Sequence, residues 1–228
     1  MTVLHLADEG EAADLAAFLS RLLHYDRSAA VRLQAAGTAL AVFGRPPSFE
    51  VLAVRAVRLA KPYENGLDAT LDVTVSAGEL LETVDEAAAT AGVPGAVTGP
   101  PWAGVLPPRG GWRPEPGLPA PDALRALVAA AVAEFRSRTA ELAPERRTRA
   151  ELDRIGGEIW SRTVGDTGLP VRAVHAAQSL GFLRAPGGSD TDAPKLFSSG
   201  AWLRLRTPYG SVALRRAGAA GALGISVR

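Results

Sequence analysis

The sequence predicts an α+β fold in which an N-terminal antiparallel sheet with helices is followed by a C-terminal three-helix domain with a β-hairpin. Three observations predict it. Apolar residues recur at helical spacing near the start and again after residue 120. Short extended runs, several apolar on both faces, fill much of residues 30–60, and period-two alternation marks residues 67–75 and 201–215. Between these regions, nine prolines and seven glycines fall among the 30 residues 92–121, a composition that blocks regular secondary structure. The organisation this implies is an α+β sensor or interaction domain over residues 1–91, a Pro/Gly-rich connector over 92–120 and a helical domain with a hairpin over 121–228.

In the first region Asp8 stands three residues before Glu11, and Leu15, Phe18, Leu19 and Leu22 follow on one face, so a helix is expected from about Glu9 to His24. The runs from Ala30, Thr38 and Phe49, separated by AAG and GRPPS, read as an antiparallel meander. LDATLDVTV, from Leu67 to Val75, alternates cleanly; Asp68 and Asp72 share its polar face and are most simply solvated. SAGELLETVDEAAA opens on Ser76 with Glu79 at the reciprocal capping position, and a second helix is expected through the run of alanines.

Trp102 and Trp112 interrupt the connector. Each has a large apolar surface to cover, either by closing a core or by meeting a partner, so both are candidate partner-surface residues.

Beyond it, Pro121 and Asp122 start a helix whose stripe is Leu124, Leu127, Val128, Ala131, Val132 and Phe135. Thr148 and Glu151 start another, with Leu152, Ile155, Ile159 and Trp160 inward and Gly156-Gly157 weakening its interior. A third spans Pro170 to Leu180: Val171, Val174, Ala177 and Leu180 point inward, and Arg172, His175, Gln178 and Ser179 the other way. TPYG then reverses the chain between strands Ala201–Arg206 and Ser211–Arg215. Pairing Leu203 and Leu205 with Val212 and Leu214 covers the helices and leaves an arginine-rich side exposed.

Charge and composition narrow the function classes. Residues 1–100 carry seven basic and thirteen acidic residues and residues 145–228 thirteen basic and seven acidic, so contact with a polyphosphate falls to the second half. The chain contains no cysteine, which excludes disulfides, thiolate nucleophiles and cysteine-ligated metals. His5, His24 and His175 lack ligand spacing, and no residues are assigned to a metal, a cofactor or catalysis. Ser20 and His24 lie one helical turn apart, but Leu19 and Leu22 form the apolar stripe of the same helix and the pair reads as surface decoration; no nucleotide-binding or nucleophile-elbow motif occurs. Neither a long apolar run nor a basic, apolar leader is present, and the expectation is a cytoplasmic protein with no membrane partner.

Three helices followed by a basic hairpin, from about Pro121 to Arg216, resemble a winged helix by element order and patterning. The resemblance implies a non-enzymatic DNA-binding or regulatory protein. Arg172, His175, Gln178 and Ser179 would approach double-stranded DNA from a recognition helix, and Arg204, Arg206, Arg215 and Arg216 from the wing. The alternative is a protein-interaction or scaffold module, as a homo-oligomer or with a different partner. A small-molecule-processing enzyme is third.

Overall fold

The structure is a computed structural model that describes residues 2–60, 71–184 and 193–216. Strand β1 (Val3–His5) leads into α1 (Glu9–Tyr25), whose first turn is closed as expected: the Asp8 carboxylate accepts from the Glu11 backbone N–H at 2.9 Å. The meander follows as β2 (Ala30–Ala36), β3 (Ala39–Gly44) and β4 (Leu52–Arg58). Strand β4 starts later than the apolar run from Phe49 because Pro47–Phe49 forms a 3₁₀ turn and Glu50 is left-handed at φ 53°. Of the run Leu67–Val75, residues 67–70, with Asp68, lie outside the described residues; the remainder enters β5 (Asp72–Ser76).

Helix α2 (Ala77–Glu82) is shorter than its propensity suggests. The Thr83 Oγ1 lies 2.7 Å from the carbonyls of both Leu80 and Gly92, which share its single proton, and the Asp85 carboxylate accepts from the Ala88 N–H. These local bonds compete with helical ones and turn the EAAA run into a connection between β6 (Val84–Asp85) and β7 (Thr90–Gly92). Strands β1, β7 and β6 form a small antiparallel sheet.

After β8 (Arg113–Glu115) come the three helices, α3 (Pro121–Ala140), α4 (Arg149–Trp160) and α5 (Val171–Ser179). Strand β9 (Lys195–Ser199) precedes the hairpin of β10 (Trp202–Thr207) and β11 (Gly210–Arg215), which TPYG closes with Thr207 opposite Gly210. Gly210 is required there: its φ is 156° and a Cβ would collide with the Phe182 ring. The architecture is thus an N-terminal sheet region with helices and a C-terminal cluster of three helices followed by a β-hairpin.

Eight strands form one antiparallel sheet in the order β5-β2-β3-β4-β11-β10-β9-β8. The N-terminal strands meet the C-terminal hairpin where Leu52, Ala53 and Val54 of β4 pair with Ala213, Val212 and Ser211 of β11. Leu33, Val42, Val57, Val212, Leu203 and Leu205 project from one face into a core closed by the helices, and Phe18 of α1 stacks on Phe182 at 5.7 Å. Over the opposite face lies part of the connector, tied down where Arg32 donates to the Ala103 carbonyl and the Val97 N–H to the Thr74 carbonyl. This leaves the outer face of the hairpin and the connector to form the surface of interest.

Candidate functional site

Helix α5 has a nearly complete apolar surround. Val171, Ala173, Val174, Ala176 and Ala177 are buried as it packs on β11, on α3 and α4, and on the Pro47–Phe49 turn. Arg172 is three-quarters covered, with Nε 3.5 Å from the Glu50 carboxylate. His175 stacks on Trp160 at 4.7 Å and meets the edge of Phe49 at 5.1 Å, and burial holds its pKa below the ordinary value. Gln178 is exposed and Ser179 half-buried. The four residues that share a side by spacing therefore do not share one free surface. The connection from α4 to α5 runs over Ser161–Pro170, longer than the three or four residues of a tight helix-turn-helix. In α1, the Ser20 hydroxyl donates to the Ala16 carbonyl, an ordinary helical back-bond.

The hairpin meets the alternation expected of it. Leu203, Leu205, Val212 and Leu214 are at most 4% exposed and face the helices. Trp202, Arg204 and Arg206 of β10, with Arg215 opposite Trp202 and Lys195 opposite Arg206, take the other face. Arg206 and Arg215 are exposed. Arg204 is half-buried: its Nε donates to the Ser211 hydroxyl at 2.9 Å, and its guanidinium lies 5.6 Å from the centre of the Trp112 ring. Burial and then the neighbouring Arg206 lower its pKa. Arg216 instead binds Glu115 of β8 at 2.7 Å. Among the described residues, no carboxylate lies within ion-pair distance of Arg204, Arg206 or Arg215.

Beside the hairpin the connector borders an open groove of about 420 Å³. Its walls include Trp102 and Trp202, and Arg45, Arg172 and Arg215 surround it. Three residues singled out in the sequence, Trp102, Arg172 and Arg215, come together here although 113 positions separate the first from the last. Sequence reasoning did not select Arg45 or Trp202. Trp202 carried a signal, its place on the arginine side of β10; Arg45, in the GRPPS turn, carried none. Trp112, Arg204 and Arg206 lie elsewhere on the same sheet face, and His175 and Gln178 do not line the groove.

Flat indole surfaces beside arginines that offer planar donor forks suit a planar, anionic ligand: rings stack and guanidinium groups bind phosphate oxygens in pairs. Glu50 at the rim answers only Arg172. Among the described residues no cluster of three or more His, Cys, Asp or Glu side chains is placed to hold a metal ion, and no helix is long and apolar enough to cross a membrane.

Among solved structures, the chain is similar to the β subunit of DNA polymerase from Streptococcus pyogenes, with a TM-score of 0.45 and 11% sequence identity. The match covers 88% of this chain and 62% of that one, so the chain spans less than two thirds of that structure's length. No curated protein matches the chain. Residues 1–104 match the family described as a domain of unknown function, DUF8010, and residues 107–219 match a second family described in the same words, DUF8185.

Proposed function

We propose that this chain is a non-enzymatic DNA-binding, regulatory protein whose contact surface is the outer face of the β10–β11 hairpin together with the adjoining connector. The observation that carries the reading is the groove in which Arg45, Arg172 and Arg215 surround Trp102 and Trp202. Arginine supplies phosphate contacts without regard to sequence, and tryptophan supplies stacking to any exposed base. Exposed Arg206 and Lys195 extend the positive surface along the sheet. Helix α5 supports the reading less, because most of its residues are buried.

The test is titration of labelled duplex and single-stranded oligonucleotides over a range of salt. Three phosphate contacts, from the exposed Arg45, Arg206 and Arg215, predict a slope of log K against log salt of about −2.7 on duplex and about −2 on a single strand. Replacing Arg45 and Arg215 together by alanine removes two of them and flattens the slope by roughly 1.4 to 1.8. No binding to either oligonucleotide at low salt overturns the proposal.

A protein partner is the second reading. It is favoured by Val105, 53% exposed on the lip of the same groove. Light scattering distinguishes a second copy of this chain from a different partner: a concentration-independent monomer eliminates the homo-oligomer.

A further inference from the structure

We propose that a second groove on the outer sheet face, between the connector and strands β2–β4, binds a small organic carboxylate through Arg204, a site that goes beyond nucleic-acid contact and shares no lining residue with the Trp102–Trp202 groove. Its volume is about 240 Å³. Phe43 and Val54 form part of the floor, Pro107 and Pro108 one wall, and Arg109 and Arg204 are its cations.

The polar end defines the ligand's charge. Arg204 reaches across β11 to donate Nε to the Ser211 hydroxyl. A guanidinium has five donors, and this one is half-covered, beside Trp112, with no carboxylate in ion-pair reach among the described residues. Partly desolvated charge without a counter-ion is unfavourable, and Arg206 adds a like charge nearby; burial and this neighbour both lower the Arg204 pKa. An anion with two oxygens would complete the fork. The facing groups do not supply it. Asp72 is engaged by Arg32 Nε at 2.8 Å and by the Gln34 amide at 3.2 Å, and the charge of Arg109 already acts on it.

The apolar end defines the ligand's body. Ala41 and Ala56 pair directly across β3 and β4, next to the Phe43–Val54 pair, so the surface under the connector is apolar and shallow. At ~30 Å³ per water-sized unit the space holds roughly eight heavy atoms, the size of a six-carbon carboxylate. Free phosphate would reach the guanidinium but leave the apolar floor uncovered.

The probe is hexanoate, with hexanol and inorganic phosphate as controls, followed through backbone amide chemical shifts of the full chain. Saturable shifts centred on Ala41, Ala56 and Arg204 are expected with hexanoate, weaker ones with hexanol. Arg204→Gln should raise the hexanoate dissociation constant about ten-fold, the loss expected when a charge-assisted bond is removed. Ala41→Leu, which fills the groove, should abolish saturation. An intact amide spectrum shows that each variant folds; if Ala41→Leu disturbs it, Arg204→Gln still decides. Shifts that never saturate, that centre elsewhere, that are unaffected by Arg204→Gln, or that phosphate reproduces overturn the assignment. Oligonucleotide binding is measured separately, so either proposal can fail alone.

Discussion

Replacing Glu11 with alanine removes the carboxylate at the centre of a buried charge network. Glu11 is 8% exposed on α1, and one oxygen accepts from Arg55 Nη2, the other from Arg58 Nε, each at 2.8 Å. Arg55 is 5% exposed on β4; its Nη1 donates to the Tyr209 carbonyl in the hairpin turn, and Nη2 also lies 3.2 Å from Asp14. The network therefore ties α1, the N-terminal sheet and the C-terminal hairpin together. Breaking a buried pair by removing one partner costs about 3–5 kcal/mol, because the remaining charge stays buried. Asp14 and the Tyr209 carbonyl remain, which places the loss near ~3 kcal/mol. For a chain of this size each kcal/mol shifts Tm by roughly 2–4 °C, so Glu11→Ala should melt roughly 6–12 °C lower. The assay is thermal unfolding followed by circular dichroism, with a urea titration to confirm that the slope is unchanged. Asp153→Ala is the control: it breaks the exposed Arg149–Asp153 pair and should cost at most ~0.5 kcal/mol. A Glu11→Ala loss no larger than that of Asp153→Ala refutes the reasoning.

Two further stability predictions follow from local geometry. Gly157 lies inside α4 with open space where a Cβ would go, so Gly157→Ala should stabilise by about 0.8–1 kcal/mol; an unchanged or lower Tm contradicts this. His175 is held neutral by burial, with its pKa below the ordinary 6.5, so between the lowered value and 6.5 the unfolded chain binds more protons than the folded one. Stability from this group therefore rises with pH through that window and is lost as pH falls below 6.5; His175→Phe keeps a ring between Trp160 and Phe49 and should remove the slope. An identical pH profile in the two proteins would reject the role of His175.

What the sequence determined by itself is local. The Asp8 and Thr148 caps, the starts of α1 and α4 and the two faces of the hairpin are set by neighbours a few residues away, and the physics of capping and alternation leaves a period that can be read directly. The grouping of Arg204, Arg206 and Arg215 on one face was legible for the same reason. Tertiary structure decided the rest. The pairing of β4 with β11 joins segments more than 150 residues apart and merges the strands of both halves into one sheet. It decided that α2 stops at Glu82, through bonds from Thr83 that include one to Gly92. It also covered Arg172 and His175 of α5 with Glu50, Trp160 and Phe49, and it carried Arg45 and Trp102 to Arg215. Contacts of this kind depend on which surfaces exclude water together across distant segments, and such a dependence imposes no spacing on the chain that a reader of the sequence can follow.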